Sequence, residues 1–382
     1  MFADTGRAGP TKTARRQAGV DDLMAPGGTA KIALGANEPQ RILVIKLRYF
    51  GDVLISTPVV TSLRAAFPRA YLSMLVNPGT EAMIAHNPHL DEVLVVERSA
   101  SSLRQLRFVL GLRRRHFDLV IDLTDGDRAA ILSRVTGAAI RVGFNREDLW
   151  RGRLYTHVVP LQQQPIPMIR QNLMALDTLG IPVVESTPLL RVRPADEAAA
   201  GAALDEMSIG LGEPFVAVHP GARWWFKSWP SQRFASLIGY MQEKLGMKVV
   251  LLGGNQEREI AKAILEQLGS ARRSLVGRLG ILELAALLRR ATLFVGNDNG
   301  PMHIAAAMGT AVVGLFGPSD PRVWGPAGQG HAILYKGIDC RPCFPGGCRR
   351  GEGNCMRLIG LEEVIALVER LLEQSPKRRE SP

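Results

Sequence analysis

The sequence predicts an α/β protein made of two doubly wound domains of similar plan. Short apolar runs alternate with longer helical stretches along most of the chain, the pattern of βαβ units with a parallel sheet covered on both faces. Each half opens in the same way, with a strand, a polar loop and a helix. A length of 382 residues suits two domains, or three, each able to bury its own core.

Residues 1–38 carry Gly, Pro, Thr, Lys and Arg without period and read as a disordered basic tail. Arg41 to Lys46 is a short apolar run suited to a buried parallel strand. It leads through Leu47-Arg48-Tyr49-Phe50-Gly51-Asp52 into a helix from Val53 to Phe67, closed by Pro68. Tyr71–Val76, Glu92–Val96 and Phe117–Leu123 read as strands. Glu81–His86, Leu103–Arg115 and Arg128–Thr136 read as the helices among them, and Ile169–Leu179 as a further helix. These elements give a first domain over 39–185. Pro182, Pro188 and Pro194 then punctuate a segment whose part 186–212 reads as a linker.

The second domain, 213–359, starts with the strand Phe215–His219, the loop Pro220–Pro230 and the helix Ser231–Leu245. The strand Lys248–Leu252 ends at Gly253-Gly254 before a helix from Gln256 to Leu268. Leu282–Arg290 is another helix, Ala291–Gly296 a strand, and Ala311–Phe316 a further buried strand. Leu361–Leu372, within 360–373, is a last amphipathic helix, and 374–382 a basic tail.

Composition sets the class. The 46% hydrophobic and 22% charged fractions are those of an ordinary globular protein, and no apolar run approaches the ~20 residues of a membrane span. The N-terminus has no apolar signal core after its charges, so a cytoplasmic chain is expected. The net charge of +11 points to an anionic partner. Aromatic ribonucleoprotein motifs, zinc-finger spacing and a basic zipper are all missing, so an anionic membrane surface, or a phosphorylated acceptor lying on it, is favoured over nucleic acid. The helix from Leu103 carries Arg104, Arg107, Arg113, Arg114 and Arg115; these form either a solvated face or a contact with such a membrane.

The richest stretch is Asn297-Asp298-Asn299-Gly300-Pro301-Met302-His303, between a strand and an alanine-rich helix. A strand, a tight polar turn and a helix start point free N–H groups and a positive dipole end at an anion. Gly300 lets the backbone approach a ligand and Pro301 suits the first helical position. Capping by Asp298 and Asn299 alone would explain a helix start, but not an Asp, an Asn and a His crowded into one turn; a phosphate or nucleotide site is the reading preferred. His303 either donates to a phosphate or buttresses the turn. Glu257 either holds a ribose hydroxyl or favours its helix dipole.

Two charged residues complete a reaction scheme. Asp52, at a strand-to-helix loop of the first domain, is the candidate general base, with an N-cap as the simpler role. Lys227, among Trp224, Trp225, Phe226 and Trp229, is the candidate counter-ion for a diphosphate, with Arg223 as helper. Some of the tryptophans are expected to do no more than pack under the loop. GxGxxG, HExxH and the nucleophile elbow are absent, and the loop from Gly221 to Ser228 fails as a P-loop by spacing. Cys340, Cys343, Cys348 and Cys355 are unevenly spaced, among Arg341, Arg349, Arg350 and Arg357. Free thiols or a loop brace are expected, with bound zinc the lesser alternative.

Taken together, Ile45-Lys46 to Gly51-Asp52-Val53-Leu54 with Thr57-Pro58, His219-Pro220-Gly221 to Lys227-Ser228-Trp229-Pro230, Leu252-Gly253-Gly254, and Asn297 to His303 resemble glycosyltransferase family 9, the lipopolysaccharide core heptosyltransferases. The motifs run in family order over roughly 41–372. The resemblance implies a GT-B architecture, two Rossmann-like domains facing a cleft, with the C-terminal helix crossing back to the first. It implies an inverting, metal-independent transfer of heptose from ADP-heptose, with no cofactor, to the inner core of a lipid A-linked oligosaccharide. Asp52 then matches the base, Lys227 the diphosphate lysine, and Asp298, Gly300 and His303 the donor-binding turn. The matched motifs also put Gly221, Ser228, Gly253, Asn299, Pro301 and Met302 on the donor side, and Arg48 and Gly51 on the acceptor-side loop. Asn299 stands where the family often has Ser or Thr. A monomer, cytoplasmic and peripheral to the inner membrane, is the expected state. A GT-B transferase for another nucleotide sugar, a nucleotide-sugar epimerase of the same plan and a non-catalytic binding module are the competing readings.

Overall fold

The computed structural model describes residues 38–96, 101–161, 164–269, 274–338, 340, 343 and 347–375. The expected N-terminal tail, except Glu38, and the tail beyond Ser375 lie outside the described residues. The first sheet is built from β1 (Arg41–Lys46), β2 (Tyr71–Val76), β3 (Glu92–Val95), β4 (Leu119–Asp122), β5 (Ile140–Gly143) and β6 (His157–Val158). Between them run α1 (Phe50–Leu54), α2 (Thr57–Ala66), α3 (Ser102–Arg113) and α4 (Asp127–Val135), followed by α5 (Met168–Thr178) and α6 (Pro194–Glu206). The second sheet comprises β7 (Phe215–His219), β8 (Lys248–Leu251), β9 (Leu293–Asn297), β10 (Ala311–Phe316) and β11 (Ala332–Tyr335). Its helices are α7 (Ser231–Glu243), α8 (Arg258–Leu268), α9 (Ile281–Arg290), α10 (Gly300–Ala307), α11 (Pro321–Trp324) and α12 (Leu361–Gln374).

All strand pairs are parallel. The orders are β3-β2-β1-β4-β5-β6 and β11-β10-β9-β7-β8, both doubly wound, so the chain folds as two Rossmann-like lobes. Strand order reverses between β1 and β4 in one sheet and between β7 and β9 in the other, the places where such sheets bind ligands. Near-continuous apolar runs such as Ile42 to Ile45 and Val216 to Val218 are fully buried, as strands covered on both faces require.

Several elements differ from the sequence reading. The helix expected over Val53–Phe67 is two helices, α1 and α2. Pro58 has no N–H to give the Leu54 carbonyl, and the Thr57 hydroxyl takes that carbonyl instead at 2.8 Å. Glu81–His86 holds only a 3-10 turn, Glu81–Met83, with Pro88 close behind. The supposed linker contains α6, which opens on Pro194 as a first-turn residue and is locked by Asp196 accepting from the Arg193 N–H at 2.8 Å. The crossing between lobes is therefore short. Leu189 N–H still bonds Thr57 Oγ1 of the first lobe at 2.8 Å, while α6 already packs on α9 of the second.

The C-terminal helix does not follow the expected return path. Its stripe Val364, Val368, Leu371 and Leu372 is buried in the core of the second lobe with Val216, Phe234 and Leu237. It packs on α7, β9, β10 and β11. Tyr240 Oη donates to Glu369 at 2.7 Å and Lys336 pairs with Glu363 at 2.6 Å, fixing both ends to that lobe.

Candidate active site

The carboxyl ends of both sheets face one cavity of about 1240 Å³, lined from the first lobe by Lys46, Arg48 and Asp52 and from the second by Lys227, Asp298 and His303. On the second lobe the organising residue is Asn297, the buried last residue of β9. Its Nδ2 donates to the carbonyls of Pro220 and Gly221 at 2.7 and 3.2 Å, and its Oδ1 accepts from Trp229 N–H at 3.0 Å. One amide thus pins both ends of the aromatic loop and sets where Lys227 stands. Lys227 Nζ lies 2.5 Å from Asp298 Oδ2, with the two side chains 13 and 8% exposed. A pair this desolvated interacts strongly but depends on each partner being present. Trp224 forms the wall, its ring 5.8 Å from Lys227 Nζ, whereas Trp229 is a core residue edge-on to Phe234 at 5.0 Å.

Asn299 caps α10: its Oδ1 accepts from Met302 N–H at 3.3 Å, and its Nδ2 donates to the Gly221 carbonyl at 2.8 Å and meets His219 Nδ1 at 2.9 Å. With the amide as donor, His219 Nδ1 accepts, and burial holds that imidazole below its ordinary pKa. Gly300 lines the cavity and also meets the other lobe. A Cβ there would lie 1.9 Å from the Phe50 ring of the first lobe, so the glycine makes room for a neighbouring lobe. Gly51 meets the same spot, its Cβ position 3.3 Å from Gly300 Cα and from His303 Cδ2. Met302 is fully buried in the core, and neither it nor Ser228 nor Gly221 lines the cavity. Pro301, Arg223, Gly253 and Glu257 do line it. Glu257 accepts from Gly254 N–H at 2.8 Å, the capping role, while facing the same space.

On the first lobe Asp52 stands in the first turn of α1, behind an extended Tyr49. Among the described residues its carboxylate has neither a hydrogen bond nor an ion pair, although it acts electrostatically on Lys46 and on His303. His303 is buried, its Nδ1 finds no hydrogen-bond partner among the described residues, and burial lowers its pKa against the pull of Asp298 and Asp52. His303 is thus within electrostatic reach of both carboxylates. Arg48 is tied down, Nε to the Thr124 carbonyl at 3.0 Å and Nη2 to that of Asp125 at 3.1 Å. Arg223 crosses the cleft to stack on Tyr49, 3.9 Å from the ring centroid.

Some of the site went unassigned in the sequence. Lys46 ends β1 with its Nζ buried, donating to the Leu123 carbonyl at 2.7 Å and Asn172 Oδ1 at 3.1 Å. Burial brings it down to about 8, with Asp52 opposing. A lysine closing an apolar strand was the available signal. Asp122, at the end of β4, is fully buried and pushed up to about 6, held by Tyr155 Oη at 2.6 Å and Thr124 N–H at 2.8 Å. Arg151, almost wholly buried, gathers Asp125, Asp127 and Glu147 at 3.1 to 3.3 Å. Glu147 is a local partner four residues before Arg151, but no local pattern marks the other two.

None of the four cysteines forms a disulfide, and Cys343 and Cys355 are buried. Burial and the neighbouring thiols push Cys355 up. Arg341 lies outside the described residues. Among the described residues no group of three or more His, Cys, Asp or Glu side chains is arranged to hold a metal.

Two doubly wound lobes with their switch points on one cleft have the GT-B architecture, and the family match makes the protein a glycosyltransferase. The chain belongs to glycosyltransferase family 9 (heptosyltransferase), whose sequence profile matches residues 105–352. It is 28% identical to a lipopolysaccharide heptosyltransferase 3 of Escherichia coli, over 86% of this chain and 98% of that one. Among solved structures it is similar to the E. coli ADP-heptose lipopolysaccharide heptosyltransferase II, with a TM-score of 0.71 and 23% identity, covering 87% of this chain and 99% of that one. The E. coli heptosyltransferase WaaC with ADP-2-deoxy-2-fluoro heptose matches at a TM-score of 0.64 and 20% identity, covering 86 and 99%.

Proposed function

We propose that the protein is an inverting, metal-independent transferase that moves a heptose from ADP-heptose to the inner core of lipid A-linked lipopolysaccharide. The observation that carries the reading is the opposition, across one cavity, of an unpaired carboxylate at Asp52 and the cationic Lys227 beside the start of α10. The E. coli relative's name supports the acceptor, and the WaaC complex with an ADP-heptose analogue supports the donor.

In this scheme the donor diphosphate takes Lys227 as counter-ion at the N-terminus of α10, drawing it from Asp298. The acceptor hydroxyl gives its proton to Asp52 as its oxygen bonds to the anomeric carbon. The bond from that carbon to the diphosphate oxygen breaks, the configuration inverts and ADP leaves. Lys227 and the helix start meet the charge that develops on the leaving group, and cleft closure aligns the partners. Arg48 and Gly51 frame the acceptor side. The enzyme acts as a cytoplasmic monomer against the anionic inner face of the inner membrane, where the acceptor is anchored.

The test is incubation of the full chain with ADP-heptose and a truncated core acceptor, read by mass. One heptose added is the expected product. Transfer from UDP- or GDP-sugars alone would overturn the donor, and conversion of the donor with no acceptor present would favour an epimerase.

A further inference from the structure

The flank of the first lobe formed by α3, α4 and the turn Trp150–Leu154 carries six large apolar side chains in water: Leu103, Leu106 and Leu110 of α3, Ile131 of α4, and Leu149 and Trp150, each 42 to 56% exposed. Single exposed apolar residues are ordinary; six on three adjoining elements are not. The opposite side of α3 is accounted for, since Leu112 is buried and Phe108 and Val109 pack onto the sheet. Leu103, Leu106 and Leu110 fall at i, i+3 and i+7 and form a second stripe with no core to fill.

Arginines run through this stripe. Arg104 and Arg107 of α3, Arg114 just after it and Arg134 of α4 are exposed and have no ion pair among the described residues, and α3 contains no acidic residue. Leucine knees beneath spread guanidinium groups suit an interface where apolar chains and anionic headgroups lie within a few ångströms of each other. Trp150 adds the amphipathic ring typical of that depth. The flank also joins the cleft: Arg146, Glu147 and Arg151, on the segment bearing Leu149 and Trp150, line the cavity.

The geometry points to the α3–α4–Trp150 flank as the surface by which the enzyme docks on an anionic lipid bilayer, presenting the cleft mouth to a lipid-anchored acceptor. This rests on the reading of the acceptor as lipid-linked. The occupant is an anionic bilayer because the exposed charge among the α3 leucines is all basic; the exposed acids of the flank, Asp127, Glu147 and Asp148, lie on the neighbouring segments, where Arg151 pairs the first two.

Flotation of the full chain with phosphatidylglycerol-containing and pure phosphatidylcholine vesicles tests it. The protein should float with the anionic vesicles and not with the neutral ones. Two double variants, Leu106→Ser with Leu110→Ser and Arg107→Glu with Arg114→Glu, should each lower partitioning at least roughly tenfold. Both should transfer sugar to a water-soluble truncated acceptor at the unaltered rate. Equal binding to neutral vesicles, or anionic binding that survives both variants, overturns the proposal. So does a dimer in sedimentation equilibrium that either variant dissociates, since a second copy would then cover the flank. If the full chain and its variants all fail to transfer while vesicle binding follows the variants, the docking surface holds and the transfer reaction is what falls.

Discussion

Asp52 and Asp122 are two carboxylates of the same lobe with opposite surroundings, and they make opposite predictions. Asp52 faces the cavity with no hydrogen-bond or ion-pair partner among the described residues, so removing it costs the fold little and the chemistry much. Asp52→Ala should lower kcat by about 10²–10⁴-fold, the usual contribution of a general base, and leave ADP-heptose affinity near its original value. Turnover within tenfold of the parent would refute the assignment. Asp122 is buried and held up at about 6, so the native state keeps its proton between pH 4 and 6 while the unfolded chain releases it. Stability therefore falls as pH rises through that window, by up to about 3 kcal/mol. Asp122→Asn keeps the shape, and the Tyr155 hydroxyl can turn to accept from it. The variant should melt higher than the parent at pH 7 and gain nothing at pH 4; melting curves at both values decide it. Asp52 was legible because a charged residue at a strand-to-helix loop is conspicuous. Asp122, Tyr155 and Arg151 were not: beyond the near neighbours Thr124 and Glu147, the partners that define them, Tyr155 for Asp122 and Asp125 and Asp127 for Arg151, lie 24 to 33 residues away, and only the folded sheet brings them together.

At the scale of elements, the strands legible in the sequence were those with mostly apolar runs, β1, β2, β7 and β10 among them. The ones missed, β5, β6 and β11, are two to four residues long, and β5 carries Arg141 and Gly143, which blur any period. Helix α6 was missed because a third proline was counted as linker punctuation when it opened a helix. The junction of α1 with α10 was invisible for a different reason: it is a contact between lobes. Phe50 fills the space over Gly300, so Gly300→Ala overpacks the joint and should destabilise by about 1–3 kcal/mol while impairing transfer. Phe50→Ala placed on top should recover much of that loss, because the second change removes the ring the new methyl strikes. A double-mutant cycle by urea unfolding measures the coupling, and additive losses would rule the steric account out.

At the scale of the molecule, donor binding and lobe arrangement are joined through the aromatic loop. Asn297 fixes both ends of that loop, Lys227 extends from it to Asp298, and Arg223 leaves it to stack on Tyr49 of the other lobe. A diphosphate that captures Lys227 must take it from Asp298, so binding and the internal ion pair compete for one ammonium. ADP at about a hundred times its Kd should stabilise the parent by about 2.7 kcal/mol, seen as a rise in Tm. Lys227→Met removes the cation and leaves Asp298 buried without its partner, so the variant should melt lower by itself and lose most of the ADP-induced rise. Asp298→Asn separates the two effects: it frees Lys227 while keeping a polar side chain, and should preserve an ADP response that Lys227→Met abolishes. UDP and GDP carry the same diphosphate but a different base, so a smaller rise with them would mean the lobe reads adenine as well as charge. If Lys227→Met responds to ADP as the parent does, the diphosphate is held elsewhere and the link between the loop and the leaving group is broken.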